Sequence, residues 1–135
     1  GNKTPEHIIS LKKINELRGV SLQNDKLIIK SMTTINELAD SSLLRDNFDV
    51  LNIVCKNIST NPIRNMATVG GNLTCRYTWT EMPATMIGLE ADMHFTGLDG
   101  ESEIISAENF FKNAAKRCQI CSSLFTLLPR RRPAK

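Results

Sequence analysis

The chain has 135 residues, with 41% hydrophobic and 23% charged side chains, enough for one modest domain with a single core and too apolar for a disordered segment. Its formal net charge of +3 sits entirely in the tail: residues 1–108 carry ten Lys/Arg against fourteen Asp/Glu, whereas residues 109–135 carry seven Lys/Arg and no acid. A net-acidic body does not follow nucleic-acid phosphates, and no apolar run is long enough to span a bilayer, so neither nucleic acid nor membrane is an expected partner.

The first residues show no signal-peptide pattern and no starting Met, which makes cytoplasmic placement the default and a fragment or processed product the expectation. His7-Ile8-Ile9-Ser10-Leu11, after Pro5, reads as a strand, and Ile14-Asn15-Glu16-Leu17 as one helical turn before Gly19. Val20-Ser21-Leu22 and Leu27-Ile28-Ile29-Lys30 flank Gln23-Asn24-Asp25-Lys26, a hairpin signal in which Asn and Asp supply the turn. Thr34-Ile35-Asn36-Glu37 fits a capping box and predicts a helix with Ile35, Leu38 and Ala39 inward. Leu43 and Leu44 open another apolar stretch, and from Phe48 to Ile58 the residues Leu51, Val54, Cys55 and Ile58 recur at helical spacing, which makes Cys55 a packing residue.

Asn61-Pro62 ends that helix, and residues 59–80 show no sustained period, so a long irregular segment is expected there. Pro83 suits the first turn of a helix running to about Glu90 and burying Met86, Ile87 and Leu89. Ala91 to Thr96 reads as a strand, Gly97-Leu98-Asp99-Gly100 as a turn, Glu103-Ile104-Ile105 as a further strand and Ala107 to Ala115 as a short helix. Ser123 to Pro129 is a candidate last strand. Mixed strands and helices with hairpins point to an α+β fold. Cys55, Cys75, Cys118 and Cys121 are scattered and read as reduced thiols; the single Cys118-x-x-Cys121 is half a zinc site, with no second pair. His7 and His94 lack partners at metal spacing, so no metal ligand and no catalytic side chain is expected.

The chemistry concentrates in Ile63-Arg64-Asn65-Met66-Ala67-Thr68-Val69-Gly70-Gly71-Asn72-Leu73. Two adjacent glycines free the backbone for positive φ or close approach to a ligand, and successive N–H groups in such a turn can converge on an anion. Thr68 and Asn72 add side-chain donors, and Arg64 a positive charge. Taken alone, a Gly-Gly pair more often marks a plain tight turn. The string has neither a Gly-Lys-Thr ending nor a Gly-x-Gly-x-x-Gly.

As a whole the string resembles the second FAD loop of the molybdopterin-dehydrogenase flavin domains, the family of xanthine dehydrogenase and aerobic carbon monoxide dehydrogenase, whose pattern is close to Arg-Asn-x-x-Thr-Ile/Val-Gly-Gly-Asn. Pro5 to Leu11 is similar to the strand after the family's first FAD loop, Lys26 to Leu44 to its strand-then-helix unit, and Pro83 to Gly97 to its helix-then-strand unit, a likeness covering roughly residues 5–113. The resemblance implies the FAD-binding domain of the molybdenum hydroxylase flavoprotein type, mainly its second subdomain of mixed or antiparallel sheet plus helices. It implies that Thr68, Val69, Gly70, Gly71 and Asn72 contact the diphosphate and ribityl region of FAD. Glu81 stands where the family often has a flavin-binding Asp; it serves either as acceptor for a ribityl hydroxyl or as a favourable charge at a helix N-terminus. Tyr77 and Trp79 either shield the flavin or pack, and Arg76 either pairs with a phosphate or is solvated.

By the same resemblance the chain is a flavin-binding electron-transfer subunit. Iron–sulfur clusters and the molybdenum cofactor belong to an iron–sulfur subunit and a molybdopterin large subunit. Two departures stand out. The family's first FAD loop, an Ala-Gly-Gly-Thr/Ser type string, is missing ahead of residue 7, which predicts weak or no FAD binding by this chain alone. From Lys116 the acidic linker of the family is replaced by a basic one ending in Arg130-Arg131-Arg132, which suggests a truncated product with a shifted frame. The expected organisation is a partial FAD-binding domain over 1–115 and an atypical basic tail over 116–135. The rival expectation is a flavin-free remnant or subunit-interaction fragment.

Overall fold

The computed structural model describes residues 6–45, 48–75, 80–97, 100–113 and the backbone of 124–128. Arg76, Tyr77, Trp79, Leu98, Asp99, Cys118, Cys121 and the basic run 130–132 lie outside the described residues.

His7 to Leu11 forms no strand. It runs as irregular chain with Ile8 and Ile9 more than 80% exposed, because no strand among the described residues pairs with it and β-propensity without a partner is not enough. A single 3-10 turn follows at Asn15–Leu17, and then the hairpin of β1 (Val20–Gln23) and β2 (Lys26–Lys30). Asn24 and Asp25 both take positive φ, 49° and 60°, the two-residue turn whose twist matches that of the flanking strands.

Helix α1 (Ile35–Asp40) starts at the expected capping box: the Thr34 hydroxyl accepts from the Glu37 amide, and the Glu37 carboxylate accepts from the Thr34 amide. Ile35, Leu38 and Ala39 are buried, as their spacing requires. A 3-10 turn at Ser42–Leu44 leads to α2 (Asp49–Asn57), whose inner face carries Leu51 and Cys55. Burial pushes the Cys55 thiol up to about 12, with the nearby Arg64 charge opposing, so this sulfur packs and does not react.

Within the stretch 59–80, the described residues 59–75 are not the irregular segment that the missing period implied. They hold two short helices, α3 (Asn61–Met66) and α4 (Val69–Thr74), separated by Ala67 and Thr68. Six-residue helices are too short to establish an apolar period, and Pro62 opens the first turn of α3 where its missing N–H has no intrahelical role. Helix α5 (Met82–Gly88) buries Met82 and Met86, half-buries Leu89, and leaves Ile87 38% exposed, against the expected inward placement; the helix is narrow enough that only its Met82–Met86 stripe faces the core.

Strands β3 (Asp92–Thr96) and β4 (Ser102–Ser106) form the second hairpin, α6 (Ala107–Lys112) follows, and β5 (Leu124–Leu128) returns. The sheet runs β1-β2-β5-β3-β4, and every pairing is antiparallel. Residues 124–128, within the stretch read from sequence as tail, thus supply the middle strand. Alternation along β2 and β3 turns Leu27, Ile29, Met93 and Phe95 toward the helices, where they join Leu38, Leu51, Leu73, Met86 and Phe110 in one core. The architecture is α+β, helices packed on one antiparallel sheet.

Candidate functional site

The turn into α4 lies alongside the turn into α1. The Ile35 amide donates to the Ala67 carbonyl at 2.9 Å and the Val69 amide to the Thr33 carbonyl at 2.8 Å, so that Thr34 and Thr68 face each other as an isolated antiparallel bridge. Both threonines are N-caps; the Thr68 hydroxyl accepts from the Gly71 amide at 3.1 Å. Two helix starts are thereby stapled side by side. Thr33 beneath them is fully buried, and its hydroxyl both accepts from the Gly19 amide and donates to the Gly19 carbonyl.

Gly70 and Gly71 show no positive φ: they are helical residues in α4. Their value is close approach. The Gly70 amide reaches the Ser31 carbonyl at 2.9 Å, and a Cβ on Gly71 would come within 3.1 Å of the Thr68 Oγ1, crowding the cap. The expected nest of free amides is therefore absent: the N–H groups of Val69, Gly70, Gly71 and Asn72 go to Thr33, Ser31, the Thr68 hydroxyl and the Thr68 carbonyl in turn. The first turn of a helix leaves its amides unsatisfied, and here the adjacent 31–34 segment and the cap take them up before any anion can.

The sequence-predicted residues divide accordingly. Thr68 is half-buried and lines a cleft; Val69 points its side chain into the core and Gly70 is buried. Gly71 is exposed and Asn72 half-buried. The Asn72 Oδ1 is buried and, among the described residues, has no hydrogen-bond partner. Glu81 is exposed just ahead of α5, and its carboxylate makes no capping bond. Arg64 lines no part of the cleft: its guanidinium binds backbone carbonyls at the end of α2.

The cleft, about 200 Å³, is lined by Lys12, Ile14, Arg18, Met32, Thr34 and Thr68, with Asn65 and Met66 at its side. It joins an apolar wall of Ile14, Met32 and Met66 to a polar wall of two hydroxyls, with cationic Lys12 and Arg18 beside them. Arg18 is held by Glu37, Nε to Oε1 at 2.7 Å and Nε to Oε2 at 3.0 Å, so the capping box of α1 also anchors the cation. Lys12, Arg18 and Thr34 were not legible as site residues, because elements far apart in the chain bring them together; the one sequence signal was the capping box itself.

The chain matches the family model described as the FAD binding domain in molybdopterin dehydrogenase over residues 1–126. It is similar to the carbon monoxide dehydrogenase medium chain of Hydrogenophaga pseudoflava, 31% identical over 107 residues, covering 79% of this chain and 37% of that protein. It is likewise similar to the carbon monoxide dehydrogenase medium chain of Afipia carboxidovorans, 32% identical over 111 residues, covering 82% of this chain and 38% of that one. In three dimensions it superposes on carbon monoxide dehydrogenase from Hydrogenophaga pseudoflava lacking the Mo-pyranopterin moiety, with a TM-score of 0.84 at 25% identity, over 98% of this chain and 46% of that one. The chain thus spans less than half the length of these relatives.

Proposed function

The chain belongs to the family of FAD-binding domains in molybdopterin dehydrogenases, and from that premise we propose that it forms part of the flavin-holding portion of a molybdenum-containing oxidoreductase. The observation that carries the reading to particular residues is the Asn72 Oδ1, a buried acceptor with no donor among the described residues, one helical turn from the Thr68 cap. An orphaned buried acceptor costs about 1–3 kcal/mol unless a ligand supplies the donor, and the hydroxyl-rich ribityl chain of FAD is such a donor. The Thr68 hydroxyl and the bare backbone of exposed Gly71 would face the diphosphate, with Lys12 and Arg18 adding positive charge. Val69 and Gly70 would act by packing that surface, and Glu81 stands by as an exposed carboxylate acceptor.

FAD, when bound, supplies the redox chemistry, and the protein contributes position and electrostatics. In the assembled enzyme the chain would serve as the electron-transfer subunit between an iron–sulfur subunit and an external acceptor, with a molybdopterin large subunit oxidising the substrate. No helix among the described residues is long and apolar enough to cross a membrane.

The flavin-free alternative draws on one observation, the internal use of all four amides from Val69 to Asn72. Amide-resolved NMR titration with FAD at millimolar concentration separates the two. The flavin reading expects shifts concentrated at 68–72 and around Lys12 and Arg18, much reduced with riboflavin, which lacks the diphosphate. No response at those amides would leave the interaction-fragment reading in its place.

A further inference from the structure

Helix α3 delivers the chain to Thr68, yet none of its residues is buried, and Ile63 and Met66 are 47% and 76% exposed. The hydrophobic effect therefore does little to fix it, and a helix this short does not hold itself. What fixes it is polar. The Arg64 NH1 donates to three carbonyls at the close of α2, those of Lys56 at 3.1 Å, Ile58 at 3.1 Å and Ser59 at 2.9 Å. These are carbonyls that a helix C-terminus leaves unsatisfied, and a cation is favourable against them. The Arg64 Nε donates to the Asn36 Oδ1 at 2.9 Å. Asn36 in turn donates through its Nδ2 to the Asn65 Oδ1 at 2.6 Å and to the Asn61 Oδ1. One guanidinium thus ties the end of α2, the outer face of α1 and both ends of α3.

We propose that Arg64 is the positioning residue of the 68–72 turn, locking α3 between α1 and α2 so that Thr68 reaches Thr34 and the cleft. Beyond Met66 the chain is registered on the 33–35 segment at once: the Ala67 carbonyl accepts from the Ile35 amide at 2.9 Å, and the Val69 amide donates to the Thr33 carbonyl at 2.8 Å. If α3 shifts, these bonds and the Thr68 cap shift with it. The planar fork is what the geometry needs: its edge spans the α2 carbonyls while Nε addresses Asn36 in the same plane, which a lysine ammonium at the end of a flexible stem does not reproduce. The importance of the turn for flavin rests on the function proposed above; the positioning itself does not.

The test is amide hydrogen exchange on the full chain without flavin, comparing wild type with Arg64→Met and Arg64→Lys. The expected result is exchange at the Val69, Gly70 and Gly71 amides about tenfold faster or more in Arg64→Met, and faster though less so in Arg64→Lys, with the β3–β4 amides unchanged. Exchange that rises equally at both places, or at neither, overturns the proposal, since a purely global contribution moves every amide together. Arg64→Lys keeps the chain folded and the comparison readable if Arg64→Met does not. Repeating the FAD titration on the same variants keeps the two readings apart: a wild type that ignores flavin sinks the functional assignment and leaves the exchange result to decide on Arg64.

Discussion

Thr68 serves two ends with one hydroxyl, accepting from the Gly71 amide at 3.1 Å while lining the cleft. Removing an N-cap oxygen costs about 1 kcal/mol, so Thr68→Val, which keeps the branched shape, is expected to lower the unfolding free energy by that much, read as a lower urea midpoint at unchanged slope; an unmoved midpoint would mean that water caps the helix equally well. Glu37 is the other residue with two tasks. Burial opposes its ionisation, but the hydrogen bonds from Arg18 and from the Thr34 amide and hydroxyl outweigh it and hold its pKa below the ordinary glutamate value. A carboxyl depressed in the fold stabilises it above the unfolded-state pKa and loses that contribution as pH falls through the folded value. Wild type should therefore lose stability below about pH 4.3 along a steeper acid limb than Glu37→Gln, as measured by denaturation at stepped pH. Parallel limbs would show that the partly exposed Arg18–Glu37 pair is screened by solvent to no net effect.

At the scale of elements, the helix starts at Thr34 and beside Pro83 were legible in the sequence, and the bonds that close the helices were not. Helix α5 closes with the Glu90 amide on the Ile87 carbonyl and the Ala91 amide on the Met86 carbonyl, the paired bonds of a Schellman motif, and Glu90 takes the left-handed position with φ 54°. That position favours glycine, and a side chain there costs about 1–2 kcal/mol, so Glu90→Gly is expected to raise the thermal midpoint, a stabilisation of about 1 kcal/mol after the entropy of the added glycine is deducted. A lowered midpoint would show that the Glu90 side chain contributes more than its backbone strain removes. The hairpin turn and the capping box were legible because each rests on contacts within four residues. Helices α3 and α4 were not, because a six-residue helix in a Gly- and Pro-bearing stretch has no period to find; what supports them is the neighbouring 31–36 segment, which takes up the first two amides of α4 and, through Asn36, the side chains of Asn61 and Asn65 in α3.

For the whole molecule, the core spans the sheet face and five helices, and Phe110 of α6 is its largest fully buried side chain, 5.3 Å from the Phe95 ring and 4.9 Å from that of Phe111. Phe110→Ala should cost about 3–5 kcal/mol, a large share of the 5–15 kcal/mol typical of a domain, and is checked by calorimetry or urea unfolding. A loss under about 1 kcal/mol would mean that α6 packs loosely and the sheet stands without it. The amino-acid order alone determined the two hairpins, the α1 cap, the inward stripe of α2, and kinship through the paired-glycine string. All of these are carried by neighbours in sequence or by an inherited local pattern. Only the tertiary structure decided that His7 to Leu11 is no strand, that 124–128 takes the middle of the sheet, that Arg64 grips backbone instead of facing the cleft, and that the amides around Gly70 and Gly71 are already engaged. Each of those depends on which distant segment arrives alongside, and hydrogen-bonding groups take whichever partner the packed chain brings within 3 Å or so, a choice that spacing along the chain does not encode.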